Sequence, residues 1–390
     1  MITTLIAFAH IALVNTSYSA PSADGAGRQK TAAQKAKEQE QFEKDILDDK
    51  KVGKEAADFY DKTMKPTKDT AAQQRVEEIG AKLSLIANAN SFDLSWGDRR
   101  HAEFEYKFKV VDNKDVNAFS LPGGYIYVFQ GLIDFVQSDD ELAGVLAHEI
   151  CHAGQRHVAW MRKEQAKMNA IQIPLILASI FSGKAEGAVT SELLGTAFTN
   201  GWSVKAETSA DYGGVQLVVA GGFDATGMLT FMERLQAKEG GLNQNLGILR
   251  THPPSKVRAD KIEDYMKKNL ISIRRSLVSS DFRVSNQVSD KGLNVLYFGK
   301  RKLFAIAGNA ERVNSTLKNL NVFFDRVPEM YDVTTGDDGV IYAKNRLLIT
   351  ITPDDAKANA MDLEQLQNAV AKAIRSSIFS LAYHIWEGRN

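Results

Sequence analysis

One cysteine, Cys151, stands in a chain of 390 residues, so no internal disulfide can hold the fold and stability must come from packed cores. The material for such cores is present. Hydrophobic residues make up 44% of the chain and charged residues 25%, with 8 prolines, the balance of a globular protein long enough for two ordinary domains. Lys and Arg together number 48, as do Asp and Glu, so the formal net charge is zero. That balance points to neither nucleic acid nor an acidic membrane surface as a partner.

The lone cysteine leaves the compartment open, and the N-terminus speaks to it instead. Ile2 to Val14 is apolar apart from Thr3, Thr4 and His10, and small or polar residues follow from Asn15 to Ala20. This predicts a signal peptide over residues 1–19 and a periplasmic or secreted protein, with an N-terminal membrane anchor as the alternative. No cysteine follows the apolar stretch, so a lipoprotein anchor is not expected there. Residues 20–45 are rich in Ala, Lys, Gln and Glu and read as a linker or a fraying helix.

Further along, Val76, Ile79 and Leu83 fall at helical spacing. Residues 104–111 alternate as a strand, and Tyr125 to Phe129 forms a second one after the turn residues Pro122-Gly123-Gly124. Helices are expected over 207–220 and 225–238. The apolar run 170–181 contains Pro174 and is too short to span a bilayer, so it predicts a buried helical hairpin or a lid making peripheral membrane contact. Composition changes near residue 271. Beyond it come expected strands at 293–298, 303–306, 331–334 and 347–351, a helix at 310–324 and a long C-terminal helix. The fold class is therefore α+β: a mostly helical domain over 46–270 with a small sheet at its cleft, and a small α+β accessory domain over 271–390.

Ser138-Asp139-Asp140-Glu141 is a capping box, and it opens a helix on which Leu142, Val145, Leu146 and Glu149 share a side. In its middle stands His148-Glu149-Ile150-Cys151-His152. Residues four apart on a helix are about 40° apart around the axis and about 6 Å along it, so both imidazoles can converge on one Zn²⁺. Glu149 then points to a water on the metal and can take its proton. A catalytic zinc takes three protein ligands and one open position. Glu207, on the helix expected over 207–220, can supply the third, and Asp211, one turn on, can accept the free ring N–H of a ligating histidine. On the residues alone, Glu207 and Asp211 also read as a solvated helix face.

Taken together, Ser138 to His152 (SDDELAGVLAHEICH), Asn117 to Gly124 (NAFSLPGG), Glu207 to Asp211, and Thr251-His252-Pro253-Pro254 with Arg258 occur in a familiar order. Over about residues 50–265 the chain resembles the HtpX-like and CAAX-prenyl-protease-like zinc endopeptidases, gluzincins whose third ligand is a glutamate. The resemblance implies a zincin-type metallopeptidase domain with one zinc held by His148, His152 and Glu207, Glu149 as general base and Asp211 as supporting acid. Without the transmembrane helices of the embedded members, the chain is more similar to the soluble periplasmic branch, which is associated with envelope protein quality control. Polypeptides, misfolded or envelope proteins among them, are the implied substrates. Asn117 to Leu121 reads as an edge strand that binds them by β-addition.

His252 keeps three readings: donor to the oxyanion, a fourth zinc ligand that holds the enzyme latent, or a loop histidine packed on Pro253. Cys151 reads as a small packing residue, and His157, five residues past His152 and off the ligand face, as structural. His10, His101 and His384 have no evident partners. The segment Leu347 to Ala356 resembles small α+β domains of bacterial envelope proteins, for which a targeting or partner-binding role is the expectation. The rival reading of the whole chain is a zinc-binding chaperone or scaffold with little proteolysis. Nothing in the sequence bears on oligomeric state.

Overall fold

The computed structural model describes residues 31–92, 95–166, 202–239, 248, 252, 255–326 and 328–382. Residues 1–19, expected to be a signal peptide, the apolar run 170–181, His10 and His384 lie outside the described residues. The chain divides into two compact units, residues 1–45 and 46–390. In the first, residues from Ala32 onward belong to α1 (Ala32–Thr63) and are largely exposed. Pairs one turn apart, such as Lys44 with Glu40 at 2.7 Å, decorate that helix.

In the second unit, α2 (Thr70–Ala89) starts at Asp69, whose side chain accepts from the amide of Ala72, and buries Val76, Ile79 and Leu83. A three-stranded sheet follows: β1 (Lys107–Val111), β2 (Ala118–Leu121) and β3 (Tyr125–Phe129), in the order β1-β3-β2. β1 runs parallel to β3 and β2 antiparallel, which leaves β2 at an edge. The expected strand over 104–111 is shorter than its alternation suggests. Only Lys107 onward pairs with β3, while Phe104 is buried ahead of the strand with its ring edge-on to Tyr106.

A short α3 (Gln130–Phe135) leads into α4 (Asp139–Gly154), the axis of the domain. Ser138 caps it, accepting from the Glu141 amide at 3.2 Å. The reciprocal half of the capping box differs from expectation. The Glu141 carboxylate accepts from the Gln137 amide, one residue before the cap, because its other contacts are Thr230 and Arg234 in the core. α4 packs against α2, α6 (Trp202–Ala220) and α7 (Thr226–Glu239), so it is buried on nearly every side and its sequence is apolar around most of its circumference. Glycine lets α4 and α7 cross closely: a Cβ on Gly227 would fall 2.4 Å from the carbonyl oxygen of Asp140. α4 stops at Gly154, Arg156 takes a left-handed conformation (φ 55°), and α5 (His157–Ala166) begins at the next residue. α8 (Ser255–Lys268) packs on α6 and α7 and completes the layer.

After α9 (Arg275–Val278) the chain builds a second apolar core, with Leu296, Phe304, Leu320, Ile341, Val370 and Ile374 at its centre. Two antiparallel sheets surround it, β4 (Val284–Val288), β5 (Asn294–Phe298), β6 (Arg301–Ile306) and β7 (Val333–Thr335), β8 (Val340–Ala343), β9 (Arg346–Thr350). α10 (Ala310–Asp325) lies between them in sequence, and α11 (Pro353–Ala358) and α12 (Leu363–Ala382) follow. Tyr331, expected in a strand, sits in a 3₁₀ turn ahead of β7. Two buried arginines tie this core to the first. Arg275 bonds Glu233 of α7 at 2.6 Å, and Arg234 reaches both Glu141 (2.6 Å) and Asp281 (2.8 Å).

Candidate metal centre

His148 and His152 project from consecutive turns of α4, and α6 crosses that helix so that Glu207 faces both. His148 Nε2 lies 3.0 Å from His152 Nε2 and 3.3 Å from Glu207 Oε2, and His152 Nε2 is 3.4 Å from Glu207 Oε1. His252 joins them, with Nδ1 2.9 Å from Glu207 Oε2 and 3.4 Å from His148 Nε2. All four side chains are buried, and their ligand atoms lie within 4.8 Å of one another. Neighbouring donors of a tetrahedral zinc with bonds of about 2.0–2.1 Å are separated by about 3.3 Å, and the spacings here fall on either side of that value. Imidazole nitrogens and a carboxylate are also the donor types zinc takes. The residues fit the ion.

Around these donors stands a charged shell. Asp211 Oδ1 is 3.0 Å from His148 Nδ1. Arg258 of α8 bonds Asp211 through Nη2 at 2.6 Å and through Nε at 2.9 Å, and its Nη1 lies 3.0 Å from Glu207. Burial works against ionising Glu207, yet His252, Arg258 and His152 hold it well below the usual carboxylate range. Asp211 is likewise lowered, burial being outweighed chiefly by Arg258. Burial and Arg258 pull the His148 imidazole down, but its bonds to Asp211 and Glu207 carry it up to about 9. His152 is lowered, mainly by burial.

Glu149 is 1% exposed, and its Oε1 has no hydrogen-bond partner. His252 Nε2 is 3.4 Å from that oxygen, outside hydrogen-bond geometry. A buried carboxylate oxygen without a donor is costly, on the order of 1–3 kcal/mol or more, and such an atom beside four converging donors is aimed at something that enters the site. A narrow pocket lies there between Glu149, His252 and the apolar wall of Met228, Phe231 and Met232.

The structure brings together the residues expected to hold and serve the metal: His148, Glu149, His152, Glu207, Asp211 and His252. His252 lies among the donors; Thr251, Pro253, Pro254 and the Gly240-Gly241 pair lie outside the described residues. Cys151 is a buried packing residue against Gly213, where a Cβ would come 2.9 Å from Sγ, and burial pushes its thiol up. His101 contacts the carbonyl oxygen of Asn88 at 2.6 Å. His157 corrects the expectation, because its ring lies against His152 instead of off the ligand face. The left-handed Arg156 breaks the helix and swings it back. Arg258 was visible only through the family motif; a lone arginine in a helical heptad carries no signal of its own.

An H-E-x-x-H pair on one buried helix, a glutamate from a second helix and the buried Glu149 carboxylate beside them form a donor set that fits one zinc ion. Residues 73–266 match the model of Peptidase family M48. Residues 294–380 match a domain of unknown function, DUF8459. The chain is 35% identical over 182 residues to the mitochondrial metalloendopeptidase OMA1 of Schizosaccharomyces pombe, covering 47% of this chain and 50% of that protein. It is 30% identical over 197 residues to the beta-barrel assembly-enhancing protease of Escherichia coli K12 (47% and 37%), and 28% identical over 193 residues to the metalloprotease LoiP of the same strain (48% and 71%). The chain thus spans half or less of the length of the first two. Among the described residues, no helix is long and apolar enough to cross a membrane.

Proposed function

We propose that the protein is a zinc-dependent endopeptidase in which His148, His152 and Glu207 hold the metal and Glu149 is the general base. The observation that carries this reading is the unpartnered, buried Oε1 of Glu149 facing a cluster of four metal-donor side chains. Bound there, zinc would act as a Lewis acid on the scissile carbonyl and acidify the attacking water. Glu149 takes the proton of that water and delivers it to the leaving amine. Asp211 accepts from His148 Nδ1 and so orients that ring, while Arg258 pins Asp211 and Glu207 against their mutual repulsion. As an edge strand, β2 is the one to which an extended polypeptide would add.

Within the M48 family, the order of motifs supports the HtpX-like and CAAX-prenyl-protease-like, soluble periplasmic branch. The apolar N-terminal segment supports export, and relatives named as assembly-enhancing proteases support misfolded or envelope proteins as substrates. The region from 271 onward is then an accessory domain. Zinc content and casein-type proteolysis, each measured with and without a chelator, test the reading. One zinc per chain with chelator-sensitive turnover is the expected result, and zinc without turnover of an unfolded substrate would leave the scaffold reading in its place. A second reading concerns the resting state. Because His252 Nδ1 sits among the donors, this side chain would serve as a fourth ligand to a bound zinc and hold the enzyme latent.

A further inference from the structure

Both histidines of α4 turn Nε2 toward the cluster and Nδ1 away from it, and the two outward nitrogens meet different partners. His148 Nδ1 faces the carboxylate of Asp211. His152 Nδ1 lies 2.9 Å from Nδ1 of His157, whose Nε2 is 3.4 Å from the carbonyl oxygen of Trp96. We propose that His157 is a positioning residue for His152: it accepts that ligand's Nδ1–H and thereby fixes its tautomer and ring plane. This rests on the zinc-endopeptidase reading above.

At the far end of the chain of contacts, a carbonyl oxygen can only accept, so Trp96 calls for a proton on His157 Nε2. A neutral ring protonated there presents a lone pair at Nδ1. The contact of 2.9 Å then requires the proton on His152 Nδ1, which leaves the lone pair of His152 Nε2 free for the metal. The other tautomer of His157 would set its Nε2 lone pair against the carbonyl oxygen. His157 is fully buried, so water does not compete for the contact.

The carbonyl is itself anchored. Ser209 Oγ donates to Trp96 O at 3.0 Å and accepts from the Trp96 amide at 3.1 Å. Ser209 stands on α6 between Glu207 and Asp211, so one helix carries a ligand, the support of the first histidine and the anchor for the support of the second. Gly97, at φ 107°, lets the loop pass this close, since a Cβ there would come 2.9 Å from the carbonyl oxygen of Gln155 and 3.0 Å from His157 Cδ2. The Trp96 ring rests on the His157 ring with centroids 5.3 Å apart.

The test compares zinc affinity, by chelator competition, in wild type, His157→Phe and His157→Asn, alongside thermal unfolding of each metal-free form. Phe keeps a flat ring but removes the acceptor; Asn keeps an oxygen near the place of Nδ1 but fills less space. His157→Phe is expected to bind zinc about 10–100-fold more weakly, with His157→Asn recovering part of the loss despite its smaller volume. Zinc affinity that follows only the unfolding temperatures, or that is unchanged in His157→Phe, overturns the proposal. Should His157→Phe fail to fold, imidazole-nitrogen NMR of the wild type decides. His157 protonated on Nε2 and His152 on Nδ1 supports the assignment, and the reverse overturns it. A wild type that takes up no zinc would sink the endopeptidase reading instead, while the tautomer of His157 stays readable in the metal-free protein.

Discussion

Glu149 and His148 are adjacent on α4 and both buried, yet their loss is expected to separate two properties. Glu149→Gln keeps the shape and removes the base, so zinc should remain at one per chain while turnover falls by about 10²–10⁴. His148→Ala should lose metal and turnover together. Metal analysis beside a peptidase assay reads both, and a Glu149→Gln protein that digests substrate at the wild-type rate would remove Glu149 from the mechanism. His252 gives the complementary result. With its Nδ1 among the donors, His252→Ala should raise turnover by clearing the open position; a fall of about 10²–10³ would instead assign it to the oxyanion.

The elements differ in how openly the sequence declared them. α4 announces itself through the cap at Ser138 and through apolar spacing, and β3 through its run of aromatic and branched residues. β4 escaped notice because Ser285, Asn286 and Gln287 are polar and only half the strand is covered, so no alternation survives. The start of α6 at Trp202, five residues before Glu207, was equally silent. At the site, the H-E-x-x-H spacing is local and legible, whereas His157 was not. Five helical residues imply a rotation of about 140° away from His152, and only the left-handed Arg156 cancels it. The α4–α7 crossing yields a prediction of its own. Gly227→Ala would push a methyl group into the backbone of Asp140, and unfolding by urea should show a loss of about 1–3 kcal/mol. A variant as stable as wild type would mean the two helices can separate at little cost.

At the scale of the molecule, two buried arginines, Arg234 and Arg275, bridge the two cores. The C-terminal one has its own acid sensor in Asp355, which accepts from Arg312 at 2.6 Å and from the amides of Ala307 and Thr352. Burial opposes its ionisation, but Arg312 and the two amides lower it below the ordinary 3.8 of an aspartic acid. A carboxylate depressed on folding adds stability above its unfolded value and loses it as pH falls through the folded one, so this core should weaken in acid below about pH 4. Acid unfolding followed at the C-terminal aromatics should show that component, and Asp355→Asn should abolish it; an unchanged acid profile would refute the assignment. The buried arginine of α9 has a different consequence, one for the design of expression boundaries. Arg275 supplies the cation that Glu233 meets inside the protein, and Asp281 shares Arg234 with Glu141. A gene trimmed to the peptidase match at residue 266 would therefore encode a fragment with a stranded interior anion, and such a fragment should favour inclusion bodies over soluble enzyme. A cut placed after residue 283 keeps both counterions with the residues that match the peptidase model.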